Sequence, residues 1–278
     1  MPQIVEINTR IAEILSRIRE ERPLLHHITN LVVVNDVANV TLHVGALPVM
    51  AHAAEEVAEM VNMAGALMLN LGTLTPARVE SMLIAGHRAN ELGVPIVLDP
   101  VGAGATELRT GTALRLLDEL EIAVVRGNAG EMGALSGAGG VVKGVESVGG
   151  VSDPAAVAQI MAREWGPVIA ITGQRDVVSD GERVLGVDNG HAWLTAITGT
   201  GCMAATMVAA FVAVEREYLV AVAGGLACFG LAAELAAQEA NGPASFRVAL
   251  FDHLYHLTPE KLALGARVVE LEPVSAGA

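Results

Sequence analysis

Apolar residues along this chain follow two periods in alternation. Ile4, Ile7, Ile11, Ile14, Leu15 and Ile18 recur every three or four positions, which predicts an amphipathic helix over residues 3 to 21, closed by Pro23. Short continuous apolar runs come next, most of them ending in polar residues. They are Leu24 to Ile28 before Thr29-Asn30, Pro48-Val49-Met50, Ala66 to Leu71 before Gly72, and Val94 to Leu98 before Asp99-Pro100. Two more are Ile122 to Val125 before Arg126-Gly127-Asn128, and Val168 to Ile171 before Thr172-Gly173. Runs so short and so rich in branched side chains read as buried strands. Helical spacing fills the intervals at 35–43, 55–64, 76–92, 110–120 and 154–165. Val177 to Val187 reads as a hairpin turning at Asp180-Gly181. Ala138 to Val151, Gly- and Val-rich without a period, reads as a surface excursion. After Cys202 the pattern is helix on helix, with Ser245 to Leu257 amphipathic and a polar tail from about Glu272.

Strand–helix alternation with short loops predicts an α/β fold, a mostly parallel sheet with helices on both faces, built as one domain over residues 1–278. Ligands of such sheets sit at the carboxyl ends of the strands. Asn30, Asp99, Arg126, Asn128 and Thr172 all fall there, so one sheet edge is expected to collect them.

Composition narrows the partners. The 278 residues are 52% hydrophobic and 17% charged, enough for one large core. The mean hydropathy of +0.49 raises the question of a membrane. The most apolar stretch, Met203–Val214 and Tyr218–Leu235, is interrupted by Glu215-Arg216-Glu217 and by Gly224-Gly225, so a buried core is expected and no membrane span. So apolar a chain also points to surface covered by subunit contacts. A net charge of −14 argues against nucleic acid and anionic lipid as partners. It leaves phosphate ligands open, because backbone amides and a metal ion bind them without net positive charge. Two cysteines, Cys202 and Cys228, make no disulfide framework, and the N-terminus carries no signal-peptide core; a cytoplasmic protein is expected.

The chemistry centres on Ile197-Thr198-Gly199-Thr200-Gly201-Cys202-Met203-Ala204. Paired glycines let successive N–H groups converge as an anion nest, and a helix starting at Gly201-Cys202 would aim its unpaired amides at the same point. The helix dipole would lower the pKa of the Cys202 thiol and make it a base or nucleophile. A plain glycine loop before a core helix fits the same residues. Asp99 and Glu131, with an Asn amide nearby, suit Mg²⁺, which keeps most of its waters. The competing readings are a turn acid before Pro100 and a first-turn helix acid. Arg126 at a strand exit matches a phosphate oxygen pair, or else forms a salt bridge to Asp99 or Glu131. Thr172 reads as a nucleotide contact or a capping residue. His26 and His27 lack metal spacing and read as packing or capping residues; His52, His253 and His256 read as ordinary surface or core residues. An anion nest, an acid pair and an arginine on one edge serve phosphoryl transfer, where catalysis is positioning and charge neutralisation. Neither a Walker A lysine motif nor a protein-kinase glycine loop is present.

Six segments, in order, resemble the hydroxyethylthiazole kinase family of the thiamine pathway. They are Ile28-Thr29-Asn30, Pro48 to Ala51, Leu69 to Leu74, Leu98 to Thr106, Arg126-Gly127-Asn128 with Glu131, and Thr198 to Cys202. The resemblance covers roughly Arg22 to Leu264 and implies a ribokinase-like fold and a homotrimer with active sites between subunits. It implies ATP-dependent phosphorylation of the primary alcohol of 4-methyl-5-(2-hydroxyethyl)thiazole. On the matching positions, Arg126 and Thr172 would contact ATP, with Asn128, Thr198 and Gly201 beside them. Met50 and Gly199 would contact the thiazole alcohol and Asn30 would line its pocket. Asp99 and Glu131 would hold magnesium through water, and Cys202 stands where most ribokinase-like enzymes carry a catalytic aspartate. His27 departs from the asparagine of the family pattern, and Ala129-Gly130 is a small-residue version of the stretch before Glu131. Two other activities use related sites: an ADP- or ATP-dependent dehydratase of hydrated nicotinamide cofactors, and hydroxymethylpyrimidine phosphate kinase. Cys202 argues against the first, and Met50 with the Asn30 motif against the second.

Overall fold

In a computed structural model, which describes residues 2–138 and 153–273, the six apolar runs become β1 (Leu24–Ile28), β2 (Leu47–Val49), β3 (Ala66–Asn70), β4 (Ile96–Asp99), β5 (Val124–Asn128) and β6 (Val168–Thr172). All six pair in parallel, in the order β2-β1-β3-β4-β5-β6. The expected hairpin, β7 (Asp176–Ser179) and β8 (Val184–Val187), extends the sheet antiparallel, turning as predicted through Asp180-Gly181. A ninth strand, β9 (Val268–Leu271), closes that side against β8. This strand was not expected. Its four residues follow a helical run, and only Val268 is fully buried, so it carries neither a continuous apolar run nor a clean alternation.

The sheet is apolar on both faces because both are covered. Successive side chains of a strand point to opposite faces. Met68, Val97, Val124 and Ala170 therefore pack with α1 (Pro2–Glu21), α8 (Thr200–Val214), α9 (Tyr218–Glu239) and α10 (Pro243–His256). Their neighbours Leu67, Leu69, Ile96, Leu98, Val125 and Ile169 pack with α4 (Pro76–Leu92), α5 (Glu107–Glu119) and α7 (Pro154–Trp165). The remaining helices are α2 (Val34–Val44), α3 (Val57–Val61), α6 (Ala129–Ala138) and α11 (Pro259–Gly265).

Helix ends fall where capping chemistry puts them. α4 starts at Pro76 because Thr75 Oγ1 accepts the Arg78 N–H, and it stops at Gly93, whose φ of +67° suits glycine. Thr106 caps α5 in the same way through the Arg109 N–H, which starts that helix three residues before Thr110. α3 is shorter than expected, five residues between turns. Gly224-Gly225 does not interrupt the apolar stretch. α9 runs through it for 22 residues, long and apolar enough to cross a membrane, and 89% of an apolar 18-residue stretch of it is buried inside the fold. The glycines serve packing: a Cβ on Gly225 would lie 2.9 Å from the Met207 carbonyl oxygen of α8. The stretch read as a surface excursion lies, beyond Ala138, outside the described residues, as does the chain from 274 onward.

Candidate active site

The carboxyl edge of the parallel strands carries a chain of polar contacts running from β1 to β6. Asn30, just past β1, donates from Nδ2 to Asn70 Oδ1 at 2.9 Å. Asn70 ends β3 in register with Asp99 at the end of β4, and its Nδ2 donates to Asp99 Oδ2 at 2.6 Å. Asp99 Oδ1 faces Arg126 Nη1 of β5 at 3.8 Å, and Arg126 Nη2 donates to Thr172 Oγ1 of β6 at 2.6 Å. The salt bridge between Arg126 and Asp99, one of the two readings of the arginine, is present.

α8 starts above this row. Gly199 precedes it with φ +88°, and a Cβ there would lie 2.3 Å from Val33 Cγ1, so both the turn and the contact with the start of α2 require glycine. The helix begins at Thr200, one residue before the expected start. A left-handed residue followed by helical ones is the geometry that makes successive N–H groups converge. No side chain caps this end. Gly201 lies close over the arginine, where a Cβ would stand 2.9 Å from Nη1. A guanidinium and the positive end of a helix dipole thus meet at one point, a combination that favours a further anion there beside Asp99. Arg126 Nε is buried without a hydrogen-bond partner.

Cys202, in the first turn of α8, is half-buried against the same row. Its Sγ lies 3.3 Å from Asn70 Nδ2 and 3.4 Å from Asn30 Nδ2, both of which donate to it. The thiol pKa is not lowered. Burial, and then the Asp99 charge, push it up to about 12. Loss of water around the sulfur outweighs the helix dipole, so at neutral pH Cys202 is a thiol. Burial also raises Asp99 to about 6; Arg126 opposes that rise and Glu131 adds to it.

The other expected residues frame this centre. Glu131, in the first turn of α6, accepts the Gly102 N–H on Oε1 and the Asn128 N–H on Oε2, both at 2.9 Å, while Asn128 Oδ1 accepts the Glu131 N–H. Asn128 and Glu131 therefore act as a reciprocal helix cap, and Glu131 also fixes the glycine turn after Asp99. Thr198 is exposed ahead of Gly199. Met50 is half-buried just past the edge strand β2, which neighbours β1. The histidines hold this flank. His26 Nε2 bonds to the Ala51 carbonyl at 2.8 Å, and His52 Nε2 accepts the Thr29 N–H at 3.2 Å, a positioning contact that sequence reading missed. His27 is fully buried beside Thr41 of α2, its pKa depressed to about 3 by burial, as the packing reading expects.

Sequence reading also missed Asn70 and Asp176. Asn70 ends an apolar run one residue early, a position whose meaning appears only when β3 and β4 pair in register. Asp176 opens β7, accepts the Gly173 N–H at 2.9 Å and is raised to about 6 by burial.

Among the described residues, no three His, Cys, Asp or Glu side chains converge as a metal cluster. The donor set still fits one hydrated hard cation. Asp99 Oδ1 is buried without a hydrogen-bond partner, and Glu131 is close enough to raise the Asp99 pKa. A hollow of about 310 Å³ lined by Leu117, Ile122, Trp165 and Pro167 lies at the amino ends of β5 and β6, away from all these groups.

Comparison with known proteins bears on this arrangement. The model of the hydroxyethylthiazole kinase family matches residues 15–260. A hydroxyethylthiazole kinase from Roseiflexus sp. (strain RS-1) is 71% identical over 264 residues, covering 95% of this chain and 98% of its own. The solved structure of a hydroxyethylthiazole kinase protein from Pyrococcus horikoshii OT3 superposes with a TM-score of 0.87 at 47% identity, covering 94% of this chain and 99% of that one. A ribokinase-like superfamily protein from Enterococcus faecalis V583 superposes with a TM-score of 0.64 at 13% identity over 85% of this chain and 87% of that one, a likeness of fold alone.

Proposed function

The chain belongs to the hydroxyethylthiazole kinase family, and from that premise we propose how its residues divide the work of moving a phosphoryl group from ATP to the primary alcohol of 4-methyl-5-(2-hydroxyethyl)thiazole. The dehydratase and pyrimidine-kinase readings are not favoured, since close relatives at this identity are thiazole kinases. The observation that carries the assignment of roles is the meeting of Arg126 with Gly201 in the uncapped first turn of α8.

The terminal phosphates of ATP lie against the amides of Thr200, Gly201 and Cys202 and on the Arg126 guanidinium. Thr172 and Asn128 border the nucleotide on the β5–β6 side, and Thr198 borders it from the loop before α8. The thiazole alcohol lies on the opposite flank, against Met50 and Gly199, with Asn30 in the wall of its pocket. Asp99 and Glu131 are the residues that would hold magnesium through water, and the bound ion would offset charge on the β and γ phosphates. Cys202 stands beside the attacking oxygen. The alcohol keeps its proton until late in a loose transition state, so the neutral Cys202 sulfur suffices to accept the hydrogen bond of the hydroxyl, and the proton released as the O–P bond forms leaves with the phosphoryl group.

We also place this single-domain enzyme in the cytoplasm as a homotrimer. Leu31 and Val32 support the last point: they are 66% and 67% exposed at the rim beside Asn30, the surface expected where a second copy closes a site. A coupled ADP-release assay tests the function. ADP formation at least tenfold faster with the thiazole alcohol than with hydroxymethylpyrimidine is expected; the reverse preference would overturn the assignment.

A further inference from the structure

One buried polar side chain at the centre of the site has no part in the mechanism above. Asn70 has no solvent exposure, and its amide makes four contacts within the protein. Oδ1 accepts the backbone N–H of Gly72 at 3.0 Å and Asn30 Nδ2 at 2.9 Å; Nδ2 donates to Asp99 Oδ2 at 2.6 Å and to Cys202 Sγ at 3.3 Å. The Gly72 N–H can only donate, so the group facing it must be the oxygen, and the amide cannot turn over. Nδ2 is thereby aimed at the acid of β4 and the sulfur of α8 together. The same logic fixes Asn30: its Oδ1 accepts the N–H groups of Val32 and Val33, which leaves its Nδ2 for Asn70 and Cys202. Sγ thus sits under two amide donors locked by backbone contacts, and one of them also holds Asp99.

We infer that Asn70 is a positioning residue for phosphoryl transfer: its locked amide sets the placement of Cys202 Sγ relative to Asp99, and thereby aims the sulfur at the attacking alcohol. The inference rests on the kinase reading and adds to it a residue that touches neither substrate. A bystander with the same burial would hold up the sheet edge but would not couple to Cys202. Coupling is measured by a double-mutant cycle.

The experiment is steady-state kinetics with ATP and the thiazole alcohol on the full-length wild-type chain, Asn70→Ala, Asn70→Asp, Cys202→Ala and the Asn70→Ala/Cys202→Ala double variant, with circular dichroism to confirm folding. Asn70→Ala is expected to lower kcat about thirtyfold in the presence of Cys202 and threefold or less in the Cys202→Ala background, with KM for ATP changed less than threefold in both. Asn70→Asp keeps the volume but swaps donor for acceptor. It keeps the inference testable should the alanine variants fail to fold, and it is expected to lose kcat at least as severely as Asn70→Ala. Equal losses in both backgrounds, or Asn70→Asp within threefold of wild type, would overturn the positioning role while leaving the kinase reading intact. A folded wild-type chain that releases no ADP with the thiazole alcohol would overturn the kinase reading itself, and the inference with it.

Discussion

Cys202 illustrates how burial and helix position compete over one thiol. The start of α8 favours a thiolate, yet the sulfur lies beside Asp99 with little water around it, and its pKa stands at about 12. A thiol at neutral pH contributes less than a preformed base. Cys202→Ala is therefore expected to lower kcat by no more than about a hundredfold, the lower end of what a positioned acid–base group supplies. Cys202→Asp should keep turnover at or above the wild-type level, because the amides of Asn30 and Asn70 serve a carboxylate oxygen at least as well as a sulfur. Steady-state kinetics check both, and collapse of Cys202→Asp would contradict an acceptor role at this position. Asp176 makes a separate point about pH. Its folded pKa is raised from 3.8 to about 6, so its favourable contribution is complete below about pH 4 and is lost as pH rises through 6. Asp176→Asn keeps an acceptor for the Gly173 N–H and removes the burial cost of the charge. Thermal unfolding should show the variant more stable than wild type by about 1 to 2 kcal/mol at pH 8, a value discounted for partial solvent contact, and nearly equal at pH 4. Equal stabilisation at both pH values would contradict burial of the charge as the cause.

At the scale of elements, two glycines inside helices have opposite surroundings. Gly225 of α9 faces the backbone of α8, with Met207 and Val208 backbone atoms 2.9 to 3.0 Å from a built Cβ. Gly111 of α5 has nothing within 4 Å. Gly225→Ala should destabilise by about 1 to 3 kcal/mol in a denaturant titration despite alanine's better helix propensity, since a backbone cannot step aside. Gly111→Ala should stabilise by up to about 1 kcal/mol in the same titration. Helix propensity alone would give both substitutions the same sign. The sequence led to the opposite expectation for Gly224-Gly225, a break in the apolar run, because a glycine pair that ends a helix and one that lets two helices touch look alike until the partner helix is known. Elements with a strong local signal were legible. The run from Pro76 to Leu92 carries its own cap and its own terminal glycine, and the Asp180-Gly181 turn announces its hairpin. β9 carried no such signal, since four residues packed on one side make no period.

Across the whole molecule, the gathering of the candidate site was legible wherever a strand delivered its polar residue in sequence. Asn30, Asp99, Arg126 and Thr172 follow apolar runs, and a parallel sheet brings such exits to one edge whatever the register. Asn70 was not singled out because its role depends on which strand neighbours which: only the pairing of β3 with β4 sets it against Asp99. The Cys202 pKa was misjudged for a related reason, since burial is a property of the assembled fold. The central claim is that Arg126 and the start of α8 together receive the terminal phosphate. A crystal structure of the chain with a non-hydrolysable ATP analogue and the thiazole alcohol measures this most directly. Terminal-phosphate oxygens should lie about 3 Å from the N–H groups of Thr200, Gly201 and Cys202 and from the Arg126 guanidinium. A nucleotide bound elsewhere, for example in the hollow beside Leu117 and Trp165, with those amides facing only water, would contradict it.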